Sequence, residues 1–175
     1  MKPTGSTTAA IINITHAVTV MLESNKYVRC LLVDFSKAFD SVDHLALVKK
    51  LKRYNIADNI IDWIVSFLTD RDQISKLGDL RSFTHVINRS IIQGFGIGSM
   101  LFVIFISDLK PIGLDNSLTK YADDASLLVP ERIDVDTSEE FSHIIKWSLD
   151  NKLTVNLAKT KEIVFHRLNP KNLVT

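Results

Sequence analysis

Apolar residues recur at helical spacing in five segments of the chain. Ile11, Ile14, Val18 and Leu22 lie three or four positions apart, which predicts a helix over residues 9–23 with these side chains on one face. Similar spacing predicts helices over 42–54, 59–69, 99–109 and 138–151, and Pro111 is expected to end the fourth. The third helix is expected to bury Ile60, Ile61, Ile64, Phe67 and Leu68, and the fifth Phe141, Ile144, Ile145 and Leu149.

Shorter apolar runs predict the strands. Residues 27–35 form a continuous run, typical of a strand that is covered on both faces. Runs at 117–120 and 125–129 predict a hairpin, 73–77 and 83–87 predict a second hairpin around Gly78-Asp79, and 162–165 predicts a final strand. The order of elements predicts an α+β fold, in which helices cover one face of a largely antiparallel sheet.

Composition and charge narrow the class of protein only slightly. At 175 residues we expect one domain, and a net charge of +1 neither indicates nor excludes a nucleic-acid partner. The single cysteine, Cys30, allows no disulfide framework and is compatible with an intracellular compartment. We expect no membrane association, because the apolar runs are too short or too interrupted to span a bilayer and no signal peptide is evident.

The chemistry is concentrated in acidic residues at strand ends. Asp123 and Asp124 lie between two predicted strands, and Asp34 ends the buried strand. Carboxylates from different strands suit Mg²⁺, which takes one or two of them per ion and completes its shell with water and phosphate oxygens. The alternatives are a helix N-cap for Asp34 and a solvated turn for the Asp pair. Asp40-Ser41 directly precedes a predicted helix, which favours a structural, capping role for Asp40.

A glycine-rich segment runs from Gln93-Gly94 to Gly98. Glycines allow a backbone to approach a ligand closely, and a following helix start offers free N–H groups. The segment has neither a Walker lysine nor the dinucleotide-binding spacing, and a flexible loop is the alternative.

Together these residues resemble the reverse transcriptases of non-LTR (LINE-type, jockey-like) retrotransposons. The run from Leu31 to His44 resembles their motif A, and Gln93 to Leu109 resembles motif B. Lys120-Tyr121-Ala122-Asp123-Asp124 resembles motif C, and Asn151 to Lys161 resembles motif D. The four motifs occur in the family's order. Ile92 and Phe95 depart from it, because the family usually has proline and a small residue there.

The resemblance implies a right-hand polymerase palm that copies RNA into DNA with two Mg²⁺ ions, or Mn²⁺. It implies that Asp34 and Asp123 are the main metal ligands, with support from Asp124, and that Lys159 protonates the leaving pyrophosphate. It places Phe35, Phe39, Gln93 and Gly94 at the nucleotide, with Phe39 as the gate against a 2′-hydroxyl. Core packing for Phe39 and a solvated surface charge for Lys159 are the alternatives.

The resemblance also implies a partial domain. Residues 5–166 would form the palm, residues 167–175 a tail, and most of the fingers and all of the thumb would be missing. We therefore expect the 175 residues alone to extend a primer poorly or not at all, since phosphate contacts supply much nucleic-acid affinity. The alternatives are a non-catalytic retrotransposon remnant that binds nucleic acid or another partner, and a different metal-dependent phosphotransferase or phosphohydrolase.

The implied partners are an RNA template, a DNA primer and deoxynucleoside triphosphates. A nuclear location follows only by analogy with elements that prime on chromosomal DNA. The sequence leaves the oligomeric state open.

Overall fold

The computed structural model describes residues 7–87, 89–91 and 96–167. Its helices are α1 (Thr7–Ser24), α2 (His44–Leu51), α3 (Asp58–Leu68), α4 (Gly96–Phe105) and α5 (Thr137–Asp150). Its strands are β1 (Tyr27–Asp34), β2 (Arg71–Gln73), β3 (Lys76–Leu77), β4 (Leu80–Arg81), β5 (His85–Ile87), β6 (Ser117–Tyr121), β7 (Asp124–Pro130) and β8 (Lys161–His166). Within these ranges, no helix is both long and apolar enough to cross a membrane.

The described residues form two compact units. The sheet unit takes its residues from Met1–Ser36, Leu109–Asp150 and Thr154–Thr175. The helical unit takes its residues from Lys37–Asp108 and Asn151–Leu153. The chain therefore leaves the sheet unit two residues after β1 and returns to it before β6.

The sheet unit is built on a four-stranded antiparallel sheet in the order β6-β7-β1-β8. Helix α1 packs on it, and Val18 is buried against Val28, Cys30 and Leu128. Leu31 and Val33, which alternate with Cys30 along β1, are buried as well. The predicted α+β class with an antiparallel sheet is confirmed, as is a first strand that is buried on both faces.

The predicted helical faces are only partly correct. In α3, Ile61, Ile64 and Leu68 are buried at the expected spacing, but Ile60 is exposed because it lies about 100° away around the helix. In α5, Leu149 is exposed and Trp147 is buried instead, beside the ring of Phe35.

The helical unit differs from its prediction in three places. The single predicted hairpin is two nested ribbons: β2 pairs with β5, and inside them β3 pairs with β4 around Gly78. Helix α4 runs from Gly96 to Phe105, so it starts and ends earlier than predicted, and Pro111 is not its terminator. The segment predicted as one helix over 42–54 is α2, flanked by 3₁₀ turns at Phe39–Ser41 and Lys52–Tyr54.

Asp43 caps α2, and Asp40 does not. The Asp43 carboxylate accepts a hydrogen bond of 2.9 Å from the backbone N–H of Ala46. Asp40 lies exposed in the 3₁₀ turn that precedes this cap. The predicted capping role of Asp40 was therefore assigned three residues too early, because the turn separates it from the helix.

Candidate active site

Strand pairing brings the predicted acids together at one end of the sheet. The β1–β7 register sets Asp34 directly opposite Asp124, and such partners have Cα atoms about 4.5–5.5 Å apart. Tyr121 pairs with Asp124, and the loop between them has two residues, Ala122 and Asp123. Asp124 is thus the first residue of β7, whereas the sequence had placed both acids in the turn.

The backbone of this hairpin is strained next to the acids. Ala122 has φ 49°, in the left-handed region that tight hairpin turns require at their first central residue. A residue with a β-carbon adopts this conformation only at a cost of about 1–2 kcal/mol. The rest of the hairpin and its pairing with β1 must therefore hold Asp123 and Asp124 in place.

The three carboxylates repel one another. Partial burial raises the pKa of Asp124 above its ordinary value, and the negative charges of Asp123 and then Asp34 raise it further. In the described part of the chain, no lysine or arginine forms an ion pair with any of the three acids. A bound cation would relieve this repulsion.

The main chain of Asp34 is fixed by the turn at Asn156–Thr160. The carbonyl of Asp34 accepts a 2.8 Å hydrogen bond from the N–H of Asn156, and the Asp34 N–H donates to the Thr160 hydroxyl at 3.4 Å. The Thr160 hydroxyl in turn donates to the carbonyl of Asn156 at 2.9 Å. Sequence reasoning assigned Asn156 and Thr160 no such role, although both lie in the motif D run.

A cavity of about 350 Å³ opens beside the acids. Asp34, Asp124 and Lys159 line one part of it, and Ala10, Ile11 and Ile14 of α1 line another. Ile11, one of the four residues predicted on one face of α1, is exposed and lines this cavity. The structure thus brings Lys159 to the same cavity as Asp34 and Asp124.

Two side-chain hydrogen bonds join α1 to β6 at this cavity. The Thr7 and Tyr121 hydroxyls are 3.4 Å apart, and the Asn13 amide donates to the Thr119 hydroxyl at 3.2 Å. These bonds fix the helix against the strand that leads into Asp123.

The other predicted nucleotide contacts have different surroundings. Phe35 is buried, and its ring centroid lies 6.2 Å from that of Trp147. Phe39 belongs to the helical unit, where its half-buried ring lies 4.7 Å from the Phe102 ring. Gln93 and Gly94 lie outside the described residues.

The donor set at the sheet end suits a hard cation. Asp34, Asp123 and Asp124 offer only oxygen, and Mg²⁺ needs just one or two carboxylates when water and phosphate complete its shell. Among the described residues, no group of three or more His, Cys, Asp or Glu side chains is arranged to hold a metal ion by itself. An ion bound by these acids would need water or phosphate oxygens to complete its shell.

The chain matches the family of reverse transcriptases (RNA-dependent DNA polymerases) over residues 2–172. It is 28% identical over 144 residues to the Pol polyprotein of the type-1 retrotransposable element R2 from Popillia japonica, covering 75% of this chain and 24% of that protein. It is 24% identical over 155 residues to the RNA-directed DNA polymerase of the mobile element jockey from Drosophila funebris, covering 82% of this chain and 17% of that protein.

Solved structures show the same fold at low identity. Telomerase from Candida tropicalis, in complex with a fragment of telomeric RNA, matches with a TM-score of 0.69 at 16% identity, over 91% of this chain and 30% of that chain. The apo enzyme truncated from its C-terminal domain matches with a TM-score of 0.68 at 18% identity, over 98% of this chain and 37% of that chain.

The predicted resemblance to non-LTR retrotransposon enzymes and the palm-type polymerase fold are both confirmed. The chain spans about a quarter or less of the curated relatives that it matches. It belongs to the reverse transcriptase family.

Proposed function

We propose that this chain is the palm of an RNA-directed DNA polymerase, which adds deoxynucleotides to a primer 3′-hydroxyl on an RNA template. One observation carries the proposal: antiparallel register sets Asp34 opposite Asp124, with Asp123 beside it, at the open end of the sheet. The family match adds the class of reaction.

The three acids have distinct roles in this proposal. Asp34 and Asp123 are the main ligands of two divalent ions, Mg²⁺ or Mn²⁺, and Asp124 supports them. Two such ions would activate the primer hydroxyl and stabilise the leaving pyrophosphate. The Asn156–Thr160 turn and the strained hairpin orient the carboxylates before substrate binds, so that less ordering is needed in the reaction.

Other residues would handle the nucleotide. Lys159 is proposed to give a proton to the pyrophosphate, and its place in the lining of the same cavity as Asp34 and Asp124 supports that role. Phe39 is proposed to exclude the 2′-hydroxyl of a ribonucleotide. Its ring packs against Phe102 and therefore cannot move aside to make space for the extra oxygen. Phe35, Gln93 and Gly94 complete the proposed nucleotide contacts.

Primer extension tests the proposal. The 175 residues alone are expected to extend a DNA primer on an RNA template poorly or not at all, since the relatives carry the matching segment as a small part of a longer chain. In a longer form that extends primers, Asp123→Asn should abolish synthesis, while Asp62→Asn, an exposed change of the same kind on α3, should leave it intact.

Two results would contradict parts of this proposal. Robust Mg²⁺-dependent extension by the 175 residues that vanishes in Asp123→Ala would overturn the expected inactivity. Full activity of Asp123→Asn in a longer form would overturn the metal-ligand assignment. If this chain binds nucleic acid and neither it nor a longer form extends a primer, the protein is instead a non-catalytic remnant. A nuclear location remains a proposal by analogy.

A further inference from the structure

The nested ribbons of the helical unit carry two cations that face each other. Strands β3 and β4 pair so that Lys76 lies directly opposite Arg81, and both residues are exposed. Directly opposed residues have Cβ atoms about 4.5–5.5 Å apart, and like charges in such a pair are destabilising. Of the described residues, no carboxylate lies within ion-pair distance of either.

An exposed aromatic ring lies next to this pair. Phe83 lies two residues beyond Arg81 and is 90% exposed. Among the described residues, no other exposed aromatic side chain reaches this value. Isolated exposed apolar residues are common, but an exposed ring beside two opposed cations matches what a single nucleic-acid strand needs. Cations bind its phosphates, and a ring stacks on an unpaired base.

We propose that this ribbon, residues 71–87, binds a single strand of nucleic acid, with Lys76 and Arg81 on phosphates and Phe83 on a base. A phosphate between the two cations would remove the repulsion that their register creates. Asp79 in the turn is the nearest acid along the chain, so the tip keeps a positive balance of two cations to one acid. The inference rests on the proposed function only for the class of partner.

The ribbon also has an apolar side, which suggests another occupant. Leu77 pairs with Leu80 in the register, and both are exposed. This pair alone would fit a second copy of the chain. Charge complementarity at Lys76 and Arg81 favours nucleic acid, and self-association is an outcome that the experiment separates.

The test measures binding of a labelled 20-nucleotide single-stranded RNA by the 175-residue chain over a range of salt concentrations. In Lys76→Gln/Arg81→Gln, the slope of log affinity against log salt should become shallower by about 1.4, since each phosphate contact on a single strand contributes roughly 0.7 to the slope. Phe83→Ala should weaken binding about 5- to 100-fold without changing the slope. A blunt duplex of the same sequence should bind the wild type more weakly than the single strand.

The matched control is Lys49→Gln/Lys52→Gln, which removes two exposed cations from the same unit. It should leave both affinity and slope close to wild type. Equal losses in the two double variants, or no measurable binding by wild type at low salt, would overturn the proposal. The proposal would also be overturned if the chain formed a dimer that Leu80→Ser dissociates, and if Lys76→Gln/Arg81→Gln bound RNA as tightly as wild type. Because no step involves the acids or a metal, loss of polymerase function would leave this result unaffected.

Discussion

At the scale of single residues, the site is defined by negative charge that the described residues do not neutralise with an ion pair. Asp34, Asp123 and Asp124 lie together, and the described lysines and arginines form no ion pair with them. Partial burial first, and then the charges of Asp123 and Asp34, raise the pKa of Asp124, so its charged form is disfavoured in the folded chain. A folded chain keeps such an arrangement at the expense of its stability, and a bound cation would offset that expense.

Asp124→Asn is expected to stabilise the chain near neutral pH. Because the folded-state pKa of Asp124 is raised, its contribution to stability is fully present below the ordinary carboxyl pKa and is lost as pH rises through the raised value. The variant removes that loss, so its melting temperature at pH 7 should be about 1–2 °C higher. Thermal unfolding between pH 3 and pH 8 measures both the gain and the flatter pH profile.

The matched control is Asp62→Asn, which removes an exposed carboxylate from α3. It should leave the pH profile of stability close to wild type. An Asp124→Asn variant that is less stable than wild type at pH 7 would contradict the prediction that the charged form of Asp124 lowers stability.

Phe39→Val tests the proposed gate. In a longer form that polymerises, the smaller side chain should admit ribonucleotides, because the ring that packs on Phe102 no longer fills the space beside the sugar. The ratio of kcat/KM for a deoxynucleotide and its ribonucleotide is the measurement. Phe105→Val, a neighbouring ring change in the same unit, should leave the ratio as it is, and an unchanged ratio in Phe39→Val would remove the assignment.

At the scale of elements, the buried carboxylate of Glu140 connects α5 to the loop before the hairpin that carries Asp123. Glu140 is fully buried, and its Oε1 accepts hydrogen bonds from the N–H groups of Ile112 and Gly113 and from the Asn116 amide. The three bonds measure 2.7–2.9 Å. The Gly113 N–H is buried and depends on Glu140, whereas the Asn116 amide also donates to the Val135 carbonyl at 3.0 Å. Glu140 thereby fixes the segment that leads into β6.

Glu140→Ala is expected to destabilise the chain by about 2–4 kcal/mol, because it removes three hydrogen bonds and leaves the buried Gly113 N–H without its Glu140 partner. The melting temperature should fall by about 5–15 °C. Glu139→Ala, which changes the exposed neighbour on the same helix turn, should shift it by no more than about 2 °C. Equal shifts in the two variants would show that the hydrogen bonds of Glu140 contribute nothing to stability.

The elements that alternation and turn chemistry specify were predictable. Strand β1 and the hairpin of β6 and β7 follow from continuous or alternating apolar runs, and their existence placed Asp34 and Asp123 at strand ends. The Asp34–Asp124 pairing was not predictable, because register between strands ninety residues apart depends on the whole sheet.

The helix faces, the nested ribbons and the hydrogen bonds to Asp34 were not predicted, each for a physical reason. The helix faces at Ile60 and Leu149 were assigned by hydrophobicity alone, whereas burial follows what each face packs against. The nested ribbons carry short strands of two or three residues, too few for alternation to show. The bonds from Asn156 and Thr160 to Asp34 join segments far apart in sequence, so no local pattern reveals them.

At the scale of the whole molecule, the fold persists where sequence identity has nearly vanished. Telomerase chains at 15–18% identity match with TM-scores of 0.65–0.69, so a sheet of this order tolerates replacement of most side chains. The mixed surface, with a net charge of +1, is consistent with nucleic-acid contacts confined to particular patches. The catalytic acids and the ribbon of residues 71–87 are the two such patches that we propose.

The most direct test of the central claim is Mn²⁺ binding to the 175-residue chain, followed by electron paramagnetic resonance with and without a deoxynucleoside triphosphate. Bound Mn²⁺ should increase when the triphosphate is present and fall to background in Asp34→Asn and in Asp123→Asn, while Asp62→Asn should bind as wild type. Equal Mn²⁺ binding by wild type, Asp34→Asn and Asp123→Asn would contradict the claim that these carboxylates form the metal site of a polymerase.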